Sequence, residues 1–304
     1  MITVFTPTFN RAYTLTRLFE SLCAQTFRDF EWLVVDDGST DGTKALCQSF
    51  MSRANFPMRY VYQSNAGKHA AINQGASLAG RGWFFIVDSD DWLPVNSLEI
   101  SAHYLKQIQD DASFAGIVGL IGTDESNLLY LDGSTQDDLS NVAKAALNSE
   151  YVDATSTEYR FGLGISGDRA EIVRTDYIRT VPFPVFKNER FLSEGYLWQS
   201  LADCGYKFRW VNQITYIGEY LEDGLTKNSR SAWRNSPKGS AFVNNYLIQS
   251  GQPLLHKFIS AVSYIRYGRL ADYGLAQLFY RCSNKLLFIV ALPLAIAFSI
   301  RGRD

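Results

Sequence analysis

The sequence predicts an α/β fold: a mainly parallel sheet flanked by helices on both faces, with a helical C-terminal extension. Three observations predict it. Short apolar runs alternate with segments of helical periodicity through about the first 90 residues. Each of three of these runs stops at a polar cluster, as buried parallel strands do at a loop. The last fifty residues carry helical, apolar and basic character with no further strand signal.

The elements follow in order. Ile2–Phe5 is apolar and strand-like, and Pro7 and Asn10 mark a turn after it. Between Ala12 and Ala24, Leu15, Leu18, Phe19 and Leu22 recur at helical spacing. Glu31–Val35 reads as a strand ending at Asp36-Asp37-Gly38-Ser39, Thr43–Arg53 as a helix and Met58–Tyr62 as a strand. Gly67–Ala79 reads as a third helix and Trp83–Val87 as a fourth strand, which ends at Asp88-Ser89-Asp90-Asp91. From Ile117 to Tyr220 short strands, turns and helices mix, with helices expected at Val142–Leu147 and Arg190–Cys204. Thr226–Lys238 carries Lys227, Arg230, Arg234 and Lys238 among Asn and Ser, and reads as a mobile basic loop.

The tail differs in charge. From Leu255 onward its Lys and Arg residues exceed Asp272 and Asp304 to give +5, within a chain of net −2. Leu286–Ile300 is almost wholly apolar and lies between Lys285 and Arg301 with Arg303. As a helix it extends about 22 Å, short of the roughly 30 Å of bilayer hydrocarbon, and Pro293 would kink it. It is either an interfacial membrane helix or a buried or dimeric one.

Composition bounds the function. The 304 residues, 46% hydrophobic and 14% aromatic, allow one large domain with an extension, or two small domains, and exclude disorder. The net charge of −2 argues against a nucleic-acid partner. Cys23, Cys47, Cys204 and Cys282 are scattered and fit small buried hydrophobes in a reducing compartment better than a zinc site or disulfide framework. Met1-Ile2-Thr3-Val4 enters a strand-like segment without a basic leader, so a cytoplasmic location is expected.

Parallel α/β sheets bind ligands at the carboxyl ends of their strands. Three polar clusters fall there: Thr6 to Asn10, Asp36 to Ser39, and Asp88 to Asp91. Three carboxylates among Asp88, Asp90 and Asp91 repel one another unless a cation intervenes. Asp88 and Asp90 are alternate residues at a strand end and can reach one ion, and their hard oxygens suit Mg²⁺ or Mn²⁺. Asp37 can accept a hydrogen bond from a uracil imide, while the Asp-Gly-Ser-Thr-Asp-Gly run is also good turn and cap chemistry. Asn65-Ala66-Gly67-Lys68-His69 brings a lysine to a helix start, where anions bind. His69 is as readily structural as functional.

Five ordered blocks carry a resemblance. They are Thr6-Pro7-Thr8-Phe9-Asn10; Ser21-Leu22 with Gln25-Thr26-Phe27; Val34 to Asp41; Asn65 to His69 with Asn73; and Val87-Asp88-Ser89-Asp90-Asp91. Residues 2–100 thereby resemble the family 2 glycosyltransferases, inverting nucleotide-sugar enzymes with the Rossmann-like GT-A fold. Phe191 to Asn228, with Glu219-Tyr220-Leu221-Glu222-Asp223-Gly224-Leu225-Thr226, is similar to a bacterial branch that builds surface polysaccharides.

The resemblance implies a UDP-sugar site of Thr6, Pro7, Phe9, Asp37, Asn65, Lys68, Asp88 and Ser89, with Asp88 and Asp90 holding Mn²⁺ or Mg²⁺. It implies a carboxylate base, for which Glu194 is the candidate and Glu189 the reserve. The family's Glu-Asp pair reads Glu194-Gly195 here, so Glu194 is either the base or a helix-start carboxylate. The basic loop around Lys227 and Arg230 either closes over the diphosphate or is solvated. Residues 1–240 are expected to form the catalytic domain, with a nucleotide half to about residue 100 and an acceptor half beyond it. Residues 241–304 are expected to form a membrane-associated helical region. The acceptor implied is a saccharide, polyprenyl-diphosphate-linked, at the inner face of the bacterial plasma membrane. Two alternatives stand: an inactive nucleotide-binding scaffold at the membrane, and a metal-dependent nucleotidyltransferase.

Overall fold

The computed structural model describes residues 1–129, 140–219, 221, 224 and 227–300. Strands β1 (Ile2–Thr8), β2 (Phe30–Asp36), β3 (Met58–Tyr62) and β4 (Trp83–Ile86) alternate with helices α1 (Leu15–Ala24), α2 (Thr43–Arg53) and α3 (Lys68–Leu78). Helix α4 (Ser97–Ile108), β5 (Phe114–Gly122), α5 (Asn141–Leu147) and β6 (Tyr151–Ala154) come next, then a π-helical turn at Glu158–Gly162. Strand β7 (Ala170–Arg174), α6 (Thr175–Thr180), α7 (Gly195–Asp203) and β8 (Lys207–Ile217) complete the sheet region.

Among the described residues eight strands form one sheet, in the order β3-β2-β1-β4-β7-β5-β8-β6. Strands β1, β2, β3 and β4 pair in parallel, as do β5 and β8. Strand β7 is antiparallel to both β4 and β5, and β6 is antiparallel to β8 at the edge. The sheet is therefore mixed but mainly parallel, and the parallel strands present their carboxyl ends on one side.

Both faces of the sheet are covered, which is why the strands read as continuous apolar runs. Ile2, Val4, Trp32 and Val34 pack with Leu15, Leu18 and Phe19 of α1, Phe50 of α2 and Leu98 of α4. Phe5, Leu33 and Val35 point the other way, toward Ala71 and Ile72 of α3 and Leu197 and Leu201 of α7.

Strand β1 outruns its expected end. Phe5 accepts the Val87 N–H on the β4 side, whereas Thr8 accepts the Asp37 N–H on the β2 side. By alternation Pro7 faces the β4 side, where the ladder has already ended opposite Phe5, so its missing N–H costs no bond.

Two further expectations are corrected. The helix placed at Arg190–Cys204 begins only at Gly195, because Phe191 donates its N–H to Ser236 Oγ and lays its ring edge-on to Trp233. The segment expected as a basic loop contains α8 (Ser229–Asn235) and the start of α9 (Pro237–Gln249). Pro237 is set at the first turn of α9, and the Glu189 carboxylate accepts the Lys238 and Gly239 N–H groups there.

The C-terminal helices α10 (Leu254–Leu270), α11 (Leu275–Arg281) and α12 (Lys285–Ile300) share with α9 a cluster of their own, including Ile248, Ala261, Ile265, Leu278 and Phe288. Helix α12 buries Phe288, Ala291 and Ala295 and exposes Leu286, Ile289, Val290 and Leu294. It continues through Pro293, and no helix among the described residues is long and apolar enough to cross a membrane. Arg301 and Arg303 lie outside the described residues. All four cysteines are free. Cys47 and Cys282 are buried as expected, but Cys204 is exposed at the end of α7.

Candidate active site at the carboxyl ends of β1, β2 and β4

The loops that follow the first strands are tied to one another by short side chains. Asn10, in the left-handed region at φ 53°, donates its N–H to Ser39 Oγ at 2.8 Å and accepts the Thr40 N–H on Oδ1 at 2.8 Å. Phe9 is 44% exposed beside this clasp. Asp36 is spent internally, accepting from the Ser39 N–H and the Tyr60 hydroxyl.

Asp37 organises the loop after β3. Its Oδ1 accepts from Gln63 Nε2 at 2.7 Å and the Ala66 N–H at 2.8 Å, and its Oδ2 accepts the Gly67 N–H at 2.7 Å. The backbone of Asn65 presses on Gly38, where a Cβ would lie 2.8 Å from Asn65 N, and the φ of +89° independently favours glycine there. Among the described residues Asn65 Oδ1 is a buried acceptor with no hydrogen-bond partner, as is Thr8 Oγ1. An unmatched buried acceptor costs stability unless a ligand or water donates to it.

The Thr6 hydroxyl accepts the Trp32 indole N–H at 3.0 Å and is fully buried on the α1 face, which turns this side chain toward the core. Pro7 and Ser89 are buried at the ends of their strands.

The acidic loop after β4 is held from three directions. Lys68 Nζ lies 2.7 Å from Asp88 Oδ1, 2.8 Å from Asp88 Oδ2 and 2.7 Å from Glu194 Oε1. The Asp88 N–H donates to the Tyr216 hydroxyl, which donates in turn to Asp91 Oδ2 at 2.7 Å. Arg17 donates to the Asp90 carbonyl, pairs with Glu219 at 2.9 Å and stacks 3.7 Å over Trp92. Arg11 stands 3.8 Å from Asp90.

Negative charge is in excess here. Burial, then the Asp88 and Asp90 carboxylates, push Asp91 up to about 8. Burial and Asp88 also raise Asp90, against Arg11. Burial alone would lower the Lys68 ammonium, but Asp88 and Glu194 outweigh it and hold Lys68 charged. Among the described residues no three His, Cys, Asp or Glu side chains converge as a ready metal cage.

Glu194 occupies the residue before α7 in helical geometry, and its side chain makes no cap hydrogen bond but reaches Lys68. The reserve candidate Glu189 is buried, and its carboxylate accepts the Lys238 and Gly239 N–H groups at the α9 N-terminus. His69 is a core residue: burial lowers its pKa to about 4 against the opposing pull of Asp37, and its ring meets Phe183 edge-on.

Four residues escaped the sequence reading. Tyr216 sits more than 120 residues from Asp88, on a strand whose neighbour it does not predict. Arg11 and Arg17 lie on turns and helix faces where only apolar positions carried a signal. Glu171, on β7, is 3.7 Å from Arg160, and burial chiefly, with Glu194 and Asp168 adding to it, pushes it up to about 8. Of the stretch Glu219–Thr226, Tyr220, Glu222, Asp223, Leu225 and Thr226 lie outside the described residues.

Comparison with known proteins bears on this site. Residues 3–127 match the family model described as Glycosyl transferase family 2. Glycosyltransferase GlyG of Streptococcus pneumoniae is 34% identical over 134 residues, 44% of this chain and 44% of that protein. The chain spans less than half the length of the curated relatives it matches. The crystal structure of S. aureus TarS 1–349 in complex with UDP-GlcNAc superposes with a TM-score of 0.62 at 18% identity, covering 97% of this chain and 80% of that one. The mannosyltransferase PcManGT from Pyrobaculum calidifontis, in complex with GDP-Man and Mn²⁺, superposes with a TM-score of 0.58 at 19% identity, covering 98% and 80%. The loops that build the acidic cleft thus lie on a GT-A fold, within the segment 3–127 that matches the glycosyl transferase family 2 model.

Proposed function

We propose that the cleft binds a UDP-sugar and transfers its sugar, with inversion, to a hydroxyl of a saccharide in bacterial surface-polysaccharide synthesis. The observation that carries the reading is Lys68, which joins the Asp88 carboxylate to Glu194 and so brings the acidic loop within one side chain of a candidate base.

In this reading Pro7, Phe9, Asp37 and Asn65 surround the base. Asp37 acts largely by shaping the loop, and Asn65 Oδ1 is a buried acceptor suited to an imide N–H. Asp88 and Ser89 face the ribose and diphosphate. Glu194 takes the proton of the acceptor hydroxyl as its oxygen bonds to the anomeric carbon, while the sugar–diphosphate bond breaks and its electron pair leaves on UDP. Lys68 meets the charge that develops there.

The donor set fits a hard divalent cation: Asp88 and Asp90 offer carboxylate oxygens on one short loop, where burial first and the neighbouring carboxylates second raise the proton affinity of Asp90 and Asp91. Mg²⁺ or Mn²⁺ uses one or two carboxylates and takes its other ligands from phosphates and water, so a complete protein cage is not required. The cation would neutralise the diphosphate. The UDP-GlcNAc bound by TarS supports a uridine donor, and the Mn²⁺ bound with GDP-Man by PcManGT supports a metal.

The acceptor proposed is polyprenyl-diphosphate-linked, at the inner face of the plasma membrane. The apolar outer face of α12, with Lys285 and Arg281 beside it, supports a chain that lies on the bilayer without crossing it. Residues 1–240 are proposed as the catalytic unit and 241–304 as the membrane-apposed one.

A panel of UDP-sugars, with and without Mn²⁺, tests the reading through UDP release. Slow release with at least one donor, stimulated by Mn²⁺ and lost in Glu194→Gln, is expected. No binding or hydrolysis of any UDP-sugar overturns it. Gly195 in place of the family's aspartate favours a second reading, an inactive nucleotide-binding scaffold. Turnover that Glu194→Gln abolishes, with UDP binding kept, rejects that alternative. Release of pyrophosphate from a nucleoside triphosphate would instead mark a nucleotidyltransferase.

A further inference from the structure

The ammonium of Lys68 has three N–H donors, and three carboxylate oxygens surround it: both oxygens of Asp88, and Oε1 of Glu194, all within 2.8 Å. The two oxygens of one carboxylate lie too close together to take separate N–H groups, so Asp88 occupies one donor and Glu194 a second. A diphosphate that takes more than the one remaining N–H must displace one of these carboxylates. Asp88 holds the ammonium through two contacts and Glu194 through one, so the Glu194 contact is the cheaper to give up. Glu194 also stands at the end of the segment 190–194, whose backbone at Arg190 abuts Gly67, the residue before Lys68. The pairing is thus built by two loops in contact, not by the chance reach of one long side chain.

We propose that Lys68 is a positioning residue for which the diphosphate of the donor and the Glu194 carboxylate compete. It rests on the reading of the cleft as a nucleotide-sugar site and adds a coupling between its two halves. With the cleft empty of nucleotide, the Lys68 ammonium lies 2.7 Å from Glu194 Oε1 and occupies the oxygen that would take the acceptor's proton. When a nucleoside diphosphate draws the ammonium toward its phosphates, Glu194 is released to face an acceptor hydroxyl. Nucleotide binding and activation of the base are then one event, and water arriving at an empty cleft meets a base that is already occupied.

The coupling is reciprocal, which makes it measurable without an acceptor. Glu194→Gln removes the competitor for Lys68 and is expected to tighten UDP binding by about five- to tenfold. In a Lys68→Met background the same substitution is expected to change UDP affinity less than about twofold, because the side chain through which it acts is gone. The measurement is calorimetric titration of UDP with Mg²⁺ present on the whole chain, for the wild type, both single variants and the double variant. Lys68→Gln replaces Lys68→Met if the latter does not fold. Equal effects of Glu194→Gln in both backgrounds reduce it to through-space repulsion and overturn the proposal, as does an unchanged UDP affinity in Glu194→Gln alone. A wild-type chain that does not bind UDP overturns the nucleotide-sugar reading itself, and the coupling with it.

Discussion

Gly67 lies so close to Arg190 that a Cβ on it would sit 2.1 Å from the Arg190 carbonyl oxygen. It also stands at φ +96°, where a side chain is strained whatever the space around it. This contact seats the start of α3 against the segment that leads to Glu194, so it sets the span that Lys68 bridges.

Gly67→Ala is therefore expected to lower stability by about 2–4 kcal/mol, combining left-handed strain with a backbone displacement. Gly164 supplies the comparison: it has φ +71° but nothing within 4 Å of its Cβ position, so Gly164→Ala carries only the strain, about 1 kcal/mol. Thermal unfolding of the two variants checks the difference. An equal loss for both would mean that the Arg190 contact yields freely.

Thr6 and Asn65 separate core from pocket. Thr6→Val leaves the Trp32 indole N–H buried without an acceptor and is expected to cost about 1–3 kcal/mol, with UDP affinity unchanged. Asn65→Ala removes an acceptor that has no partner among the described residues. It is expected to leave stability nearly unchanged and to weaken UDP about fivefold, the worth of one hydrogen bond. Calorimetric melting and UDP titration, run on both variants, read the contrast. Weakened UDP binding in Thr6→Val would return that residue to the pocket.

That contrast shows what the sequence could carry. The apolar run Ile2–Phe5 marks a strand, and the acidic cluster marks its neighbour's end, because apolar runs and turn chemistry are written in adjacent residues. Which face Thr6 takes depends on Trp32 in the next strand, and a block of motif letters does not encode it. Likewise Asp88, Lys68 and Glu194 were each legible singly, but their meeting depends on the approach of Gly67 to Arg190. Tyr216 was invisible because β8 reaches the acidic loop only through the sheet order β4-β7-β5-β8. The basic segment 226–238 was misread because the carboxylate that starts α9 comes from Glu189, 49 residues before Lys238.

Glu171 gives a pH dependence whose sign follows from burial. Its folded pKa is raised to about 8, chiefly by burial, with Arg160 opposing and Glu194 and Asp168 adding. Below about pH 4 both folded and unfolded chains hold this proton, and the contribution to stability is whole. Between about pH 4 and pH 8 the unfolded chain gives the proton up while the folded one keeps it, so stability falls as pH rises. Above about pH 8 both are ionised and the loss is complete. Glu171→Gln removes this slope. Melting temperatures from pH 5 to pH 9 are expected to fall for the wild type relative to Glu171→Gln by about ten degrees, from about 4 kcal/mol of linkage at roughly 2–4 °C per kcal/mol. Parallel curves for the two proteins would show that Glu171 ionises without cost.

The outer surface of the C-terminal helices predicts binding to a charged bilayer. Leu254, Leu255, Leu286, Ile289 and Val290 are each more than half exposed, a density of exposed apolar side chains that the sheet region lacks. Between residues 254 and 298 the charged side chains are Lys257, Arg266, Arg269, Arg281 and Lys285 against Asp272 alone. Apolar surface with a basic surround favours an interface of anionic headgroups, at about 1 kcal/mol for each basic residue near it. Co-sedimentation with vesicles is expected to be strong when phosphatidylglycerol is included and weak with phosphatidylcholine alone, and to fall with added salt. Ile289→Glu on the exposed face of α12 withdraws about 2 kcal/mol of apolar burial and adds a repelled charge, so binding should drop at least about tenfold while the fold is kept. Ala291 faces inward and is fully buried, so Ala291→Glu should unfold the C-terminal cluster instead. Equal recovery with both kinds of vesicle, or a stable dimer that Ile289→Glu dissociates without any vesicle binding, would assign the face to another copy of the chain.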